Sequence, residues 1–181
     1  MPKLDYDPYT VLARAGLMSF ITSGTHMDPP CGTPSKLLET RAGVFVSIHK
    51  HGELRGCMGT IQPAYSSVAK EIIENAIAAS SRDPRFPPIE VKELSSIDIS
   101  IDVLGSLEPA EKRDLDPDRF GVVVSEGERC GVLLPRLDGV DTVEDQLAIA
   151  ARKAGISDTA YHIQKFEVRR YSELDDKPVR S

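Results

Sequence analysis

Gly43-Val44-Phe45-Val46-Ser47-Ile48-His49-Lys50-His51-Gly52-Glu53-Leu54-Arg55-Gly56-Cys57-Met58-Gly59-Thr60-Ile61 is the stretch that decides how the rest of the chain is read. Its first six residues are rich in β-branched and aromatic side chains. His49 to Gly52 then separates them from a second extended run, Glu53 to Ile61, which predicts a hairpin. Further along, Ile97-Asp98-Ile99-Ser100-Ile101-Asp102-Val103 alternates apolar and polar residues throughout, a pattern that only a strand sorts onto two faces. Gly121-Val122-Val123-Val124 and Gly131-Val132-Leu133-Leu134, joined through Glu126-Gly127-Glu128, predict a second hairpin, and Tyr161 to Tyr171 a closing strand. Hairpins in place of strict strand–helix alternation predict an α+β fold with a largely antiparallel sheet and packed helices.

The helices announce themselves by their caps. Asp7-Pro8 predicts a helix start, with Val11, Leu12, Ala15 and Met18 at helical spacing to about Thr22. Gly24 to Pro34, with three prolines and two glycines around Cys31, predicts a loop. After Pro63 an amphipathic helix places Val68, Ile72, Ala76 and Ala79 on its apolar face and Lys70, Glu71 and Glu74 outside it. Asn75 falls within that stripe, and a buried amide needs a partner, so Asn75 is expected to tie the helix to a neighbouring backbone or loop. Asp141 or Thr142 caps a last helix carrying Val143, Leu147, Ala150 and Ala154, ended by Gly155.

The chain has 181 residues, 40% hydrophobic and 28% charged, enough to bury a core without disulfides or a structural metal. One domain over 1–181 is expected, with room for a smaller lobe; 1–42 supply an N-terminal helix and loop and 172–181 a C-terminal tail. Cys31, Cys57 and Cys130 form no C-x-x-C pair and are expected to be reduced thiols. A net charge of −6 disfavours nonspecific nucleic-acid binding. No run of roughly 20 apolar residues exists to span a bilayer, and Met1-Pro2-Lys3-Leu4-Asp5 does not begin a signal peptide, so a cytoplasmic location is expected.

Chemistry centres on Leu54 to Thr60. Regular strand alternation puts Arg55 and Cys57 on one face, their Cα atoms roughly 6.6 Å apart, and a nearby guanidinium favours the thiolate. Cys57 is therefore the candidate catalytic residue, with Arg55 as its activator. Gly56 and Gly59 bracket the thiol with positions that let a ligand or another backbone approach closely. The alternative is a small core cysteine with glycines that serve a bulge or tight packing. Arg82-Asp83-Pro84-Arg85-Phe86-Pro87-Pro88 must leave the helix at Asp83, forming a shaped loop in which one guanidinium pairs with Asp83 and another is left for a carboxylate or phosphate. The plainer reading is a surface ion pair with Phe86 as a core plug. His49 and His51 stand at a hairpin tip and suggest solvated side chains rather than a metal site, and Asp98, Ser100 and Asp102 a solvated strand face. No phosphate loop, nucleophile elbow or dinucleotide fingerprint appears, so no cofactor is implied.

Leu54-Arg55-Gly56-Cys57-Met58-Gly59-Thr60 resembles the L-R-G-C-I-G-T signature of the AMMECR domain family. The likeness continues, in order, through Glu74-Asn75-Ala76-Ile77, Asp83 to Pro88, Gly131-Val132-Leu133-Leu134-Pro135, Lys153-Ala154-Gly155-Ile156 and Phe166-Glu167-Val168. The resemblance implies an α+β fold with a larger sheet-and-helix part and a smaller lobe, and a ligand or partner site combining Arg55, Gly56, Gly59, Asn75, Asp83 and Arg85 with Cys57. Microbial members resemble the A component of the AmmeMemoRadiSam set, which implies Memo-like and radical SAM companion proteins. Three functions stay open: a binding site for a small anionic ligand or a partner, an enzyme using Cys57 as nucleophile on an anionic substrate, and a nucleic-acid-associated regulatory module. Where the family often carries a cysteine before the lysine of K-A-G, Arg152 stands here; Tyr161 and Arg136 replace a usual tryptophan and glutamine.

Overall fold

The computed structural model describes residues 7–157 and 160–174. It is an α+β structure of two compact units, one formed by residues up to Val103 together with those from Arg170 onward, the other by Leu104–Arg169. In the first unit lie helices α1 (Pro8–Ser23), α2 (Ser35–Glu39) and α3 (Val68–Ser81) and strands β1 (Val44–Lys50), β2 (Glu53–Gly59) and most of β3 (Ile97–Leu104). The second holds β4 (Glu108–Pro109), β5 (Gly121–Glu126), β6 (Arg129–Leu133), α4 (Val143–Ala154) and β7 (His162–Phe166), and β8 (Val168–Ser172) runs from it into the first. The strands form two sheets, ordered β2-β1-β3-β8 and β4-β7-β5-β6.

Local chemistry explains most boundaries. Asp7 accepts the amide of Thr10 at the start of α1, and Gly24 ends the helix in the left-handed region at φ 69°. Ser67 and Thr142 cap α3 and α4 in the same way, and Gly155 stops α4 at φ 67°. The first hairpin turns on His51 and Gly52, so His49 and Lys50 extend β1 rather than form the connection that the residue types suggested. The closing segment is two strands, because its residues on either side of Glu167 pair in different sheets. The tail expected from 172 begins with ordered residues, since Glu173 accepts both Arg14 and the amide of Ile99; 175–181 lie outside the described residues.

The core of the first unit corrects two helix faces. On α1 the buried residues are Thr10, Leu12, Ala13, Gly16 and Leu17, whereas Val11 and Met18 are exposed. Helix α3 is buried nearly all round, because α1 packs on one side of it and β1 and β2 on the other. Glu71 and Glu74, expected outside the apolar face, are therefore buried, and each carboxylate is matched by donors. Burying Leu12, Leu17, Val46, Ile48, Ile72, Ile73, Ile77, Ile99 and Ile101 in one cluster stabilises this unit by roughly 1.5–3 kcal/mol for each large side chain, before conformational entropy is set against it. The second unit has its own core of Val122, Val124, Leu133, Leu147 and Ala150, with α4 packed on β5 and β6. Among the described residues no helix is long and apolar enough to cross a membrane.

Candidate functional site

Strand β2 is an edge strand of its sheet, which leaves outward-pointing backbone groups to be satisfied from elsewhere. The loop that follows α3 supplies one partner. Pro84, Pro87 and Pro88 prevent the helix from continuing, and Asp83, only 4% exposed, turns its carboxylate onto Cys57. Asp83 accepts the Cys57 amide at 2.9 Å and the Arg85 amide at 3.0 Å. It also accepts Arg85 Nε at 3.0 Å and Nη2 at 2.8 Å. The Arg85 guanidinium, aided by the backbone donors, holds the Asp83 carboxyl far below the usual carboxylate range. Of the two arginines in this loop, Arg85 makes the expected ion pair and Arg82 is exposed. Phe86 is half-buried with the Arg85 guanidinium over its ring, outside the hydrophobic core, so it is not a core plug.

Arg55 has another task. The β1–β2 register runs Ile48 to Gly56 and then His49 to Leu54, which leaves Arg55 as the extra residue of a bulge and breaks the alternation that would have carried it to the Cys57 face. Its guanidinium donates to Glu93 at 3.2 and 3.0 Å and to the Pro87 carbonyl at 2.8 Å. Glu93 also accepts Lys50 Nζ at 2.9 Å and the Glu90 amide at 3.0 Å, and Arg55 chiefly brings its pKa down to about 2. Arg55 thus clamps the Pro87–Pro88 end of the loop to β2.

The thiol of Cys57 has a different environment from the one strand alternation predicted. Ser47, its cross-strand partner on β1, donates its hydroxyl to Sγ at 3.3 Å and is the only hydrogen-bond partner of Sγ among the described residues. Burial pushes the Cys57 thiol up; the Ser47 hydroxyl and the Arg85 charge oppose this without reversing it. The cation that acts on the thiol is Arg85, not Arg55.

The remaining signature residues hold the frame. A Cβ at Gly56 would run into the Ala79 carbonyl of α3, and one at Gly59 into the Phe45 ring, so both glycines serve close packing. Asn75 behaves as its position in the stripe requires: Nδ2 donates to the Val44 carbonyl at 3.1 Å and to Thr60 Oγ1 at 3.4 Å. Thr60 donates in turn to the fully buried Glu71, whose other oxygen accepts the Ala64 and Tyr65 amides at 3.0 and 2.8 Å. Ser47, Glu71 and Glu93 are the contributors that sequence reasoning missed. The available signal was in α3, where Ile73 and Ile77 lie off the stripe of Val68, Ile72 and Ala76 and mark a helix buried on both sides.

The face of the first sheet that carries Cys57 also departs from expectation. Asp102, predicted on a solvated face, is 2% exposed and is gripped by Arg170 at 2.8 and 2.9 Å. His49 is half-buried on β1 and His51 sits in the turn, and among the described residues no three metal-binding side chains converge. A hollow of about 770 Å³ lies wholly within the second unit, floored by Leu147, Ala151, Ile156 and Ile163 with Lys112 and Arg152 among its lining. Arg152 and Tyr161, two positions where the chain departs from the family pattern, line it, but none of the candidate site residues Arg55, Gly56, Cys57, Gly59, Asn75, Asp83 and Arg85 does, and its Lys112–Glu144 pair is largely exposed. Convergent buried polar groups occur instead around Asp83.

The AMMECR1 family profile matches residues 10–174, which takes in β2, α3, the Asp83 loop and the second unit. The chain belongs to the AMMECR1 family. A protein of Clostridium acetobutylicum is 46% identical over 173 residues, covering 94% of this chain but 37% of its own length, so the chain spans little more than a third of that relative. A Thermotoga maritima protein is 45% identical over 168 residues, covering 91% of this chain and 97% of its own. The crystal structure of an uncharacterized protein from Pyrococcus horikoshii matches with a TM-score of 0.86 at 29% identity, covering 92% of this chain and 90% of that one. The Asp83 hub and the Asn75–Thr60–Glu71 network of this AMMECR1-family chain lie inside the matched span.

Proposed function

We propose that this AMMECR1-family chain binds a small anion, a carboxylate or phosphate, at the Arg85 guanidinium beside Cys57, and does so without covalent chemistry at the thiol. The observation that carries this reading is how Arg85 is held. Asp83 engages its Nε and Nη2, fixing the plane of the fork, while the side chain remains 56% exposed and Nη1 has no partner among the described residues. A guanidinium oriented in advance loses less conformational freedom on meeting an anion, and its planar donors suit two oxygens at once. Arg55, Gly56, Gly59, Asn75 and Asp83 act as positioning residues that shape β2 and its loop. The nucleophile reading is the weaker one, because burial keeps the Cys57 proton on sulfur and Sγ has a serine, not a base, beside it.

A thermal-shift panel of phosphate, sulfate, acetate and larger carboxylates tests this. An anion at about 100 times its Kd adds about 2.7 kcal/mol, a rise on the order of 5–10 °C for a chain of this size. The rise is expected to persist in Cys57→Ser and to vanish in Arg85→Ala. Loss of the response in Cys57→Ser, or its survival in Arg85→Ala, overturns the reading.

A further inference from the structure

Beyond Cys57 the sheet carries a row of small polar groups that neither the core nor the Asp83 hub uses. Cys57 on β2 is paired with Ser47 on β1, and Ser47 with Ser100 on β3, so the three side chains share one face of the sheet. All three are half-buried. Neighbouring strands lie about 4.8 Å apart, so the row runs on the order of 10 Å from the β2 edge. Asp102 follows Ser100 on the same face of β3 and is neutralised by Arg170, as Asp83 is by Arg85. Asp98 precedes Ser100 on that face, with His49 as its cross-strand partner.

The hydrogen-bond roles in this row are partly assigned already. The Ser47 proton is given to Cys57 Sγ, which leaves the Ser47 oxygen with lone pairs to accept. The hydroxyl of Ser100 has no partner among the described residues and is not sealed from solvent. A strand face that only covers a core carries apolar side chains, as the opposite face does with Val46, Ile48, Ile99 and Ile101. Here the Arg85 charge acts at Cys57, and the hydroxyls of Ser47 and Ser100 continue the row from there, which calls for a ligand that is anionic at one end and donates hydrogen bonds along its body.

We infer that the anion bound at Arg85 is a polyhydroxylated carboxylate, its carboxylate on Arg85 and its hydroxyls donating to Ser47 and Ser100 across the sheet. This rests on the anion-binding reading and narrows it to a substrate class. An apolar acid would strand the two serine oxygens, whereas a sugar acid satisfies them.

The test is calorimetric titration of the full chain with D-gluconate and with hexanoate, monoanions of six carbons matched in charge and length. Gluconate is expected to bind at least tenfold more tightly, with about fivefold lost for each serine hydroxyl removed in Ser47→Ala and Ser100→Ala and hexanoate unaffected. Ser47→Thr, which keeps the hydroxyl, is expected to retain the preference. Equal affinity for the two acids in the unmodified chain overturns the inference and requires no variant. So does a preference that survives in the double alanine variant with an unchanged melting temperature. Binding of phosphate but of neither acid also overturns it while leaving the anion reading intact. If no anion binds, or Arg85→Ala binds as well as the unmodified chain, the anion reading itself falls.

Discussion

Asp83→Asn removes a charge from the hub while keeping its shape, and its cost can be worked from the contacts. Four donors converge on the carboxylate: the amides of Cys57 and Arg85, and Nε and Nη2 of Arg85. An asparagine has one acceptor oxygen, so whichever way it turns, one of the two backbone amides faces an NH₂ group. The Arg85 side chain is 56% exposed and regains water, so its lost ion pair costs little. A buried backbone donor left without an acceptor costs about 1–3 kcal/mol, and this term dominates. The expected loss is about 2 kcal/mol at pH 7, or a fall in melting temperature of about 4–8 °C. The pH dependence has a definite sign. The folded pKa of Asp83 lies below its unfolded value, so its stabilisation is fully present above about pH 4 and fades as the pH drops toward the folded value. Chemical denaturation of both proteins from pH 7 to pH 3 is therefore expected to show a gap that is constant down to about pH 5 and narrows below pH 4. A gap near zero at pH 7, or one that widens in acid, would refute the hub.

Arg55→Ala leaves the buried Glu93 with Lys50 as its remaining cation and is expected to cost about 2–3 kcal/mol in denaturant melts, and to weaken anion binding less than Arg85→Ala does, because it loosens the loop without removing the binding guanidinium. Gly56→Ala drives a methyl into the α3 backbone and should cost about 3 kcal/mol or prevent folding, whereas alanine at the open, exposed Gly24 costs less; equal effects would contradict the close approach. In a Cys31→Ser, Cys130→Ser background, iodoacetamide should alkylate Cys57 at least tenfold more slowly at pH 7 than it alkylates exposed Cys31 in the unmodified chain, with the rate still climbing above pH 9. A fast reaction with a plateau near neutrality would restore the nucleophile.

Features encoded by nearest neighbours are legible in the sequence itself. The β1–β2 and β5–β6 hairpins, the caps at Asp7 and Thr142 and the Gly155 stop follow from side chains within a few positions of one another, and the α3 stripe shows that Asn75 is buried and needs a partner, though not that the partner is Val44, 31 positions away. What escaped is chemistry between residues far apart in the chain. Asp102 looks solvated until Arg170, 68 positions away, is brought to it, and Glu71 looks like an outward carboxylate until the chain returns Thr60, Ala64 and Tyr65 to its oxygens. Alternation places Arg55 beside Cys57 because it assumes an unbroken ladder, and one bulge residue is invisible to it. The family signature is thus mostly frame. Gly56, Thr60 and Arg55 fasten β2 to α3 and to the Pro87 loop, Gly59 packs it on Phe45 of β1, and the thiol with its Arg85 neighbour is the part that packing leaves unexplained.

The most direct test follows the backbone amides and the Arg85 Nε–H by proton–nitrogen NMR while phosphate or gluconate is added at constant ionic strength. Saturable shifts centred on Cys57, Asp83 and Arg85 are predicted, absent in Arg85→Ala. Shifts that instead centre on Leu147, Ala151 and Ile156 in the second unit, or that never saturate, would contradict an anion site at Arg85.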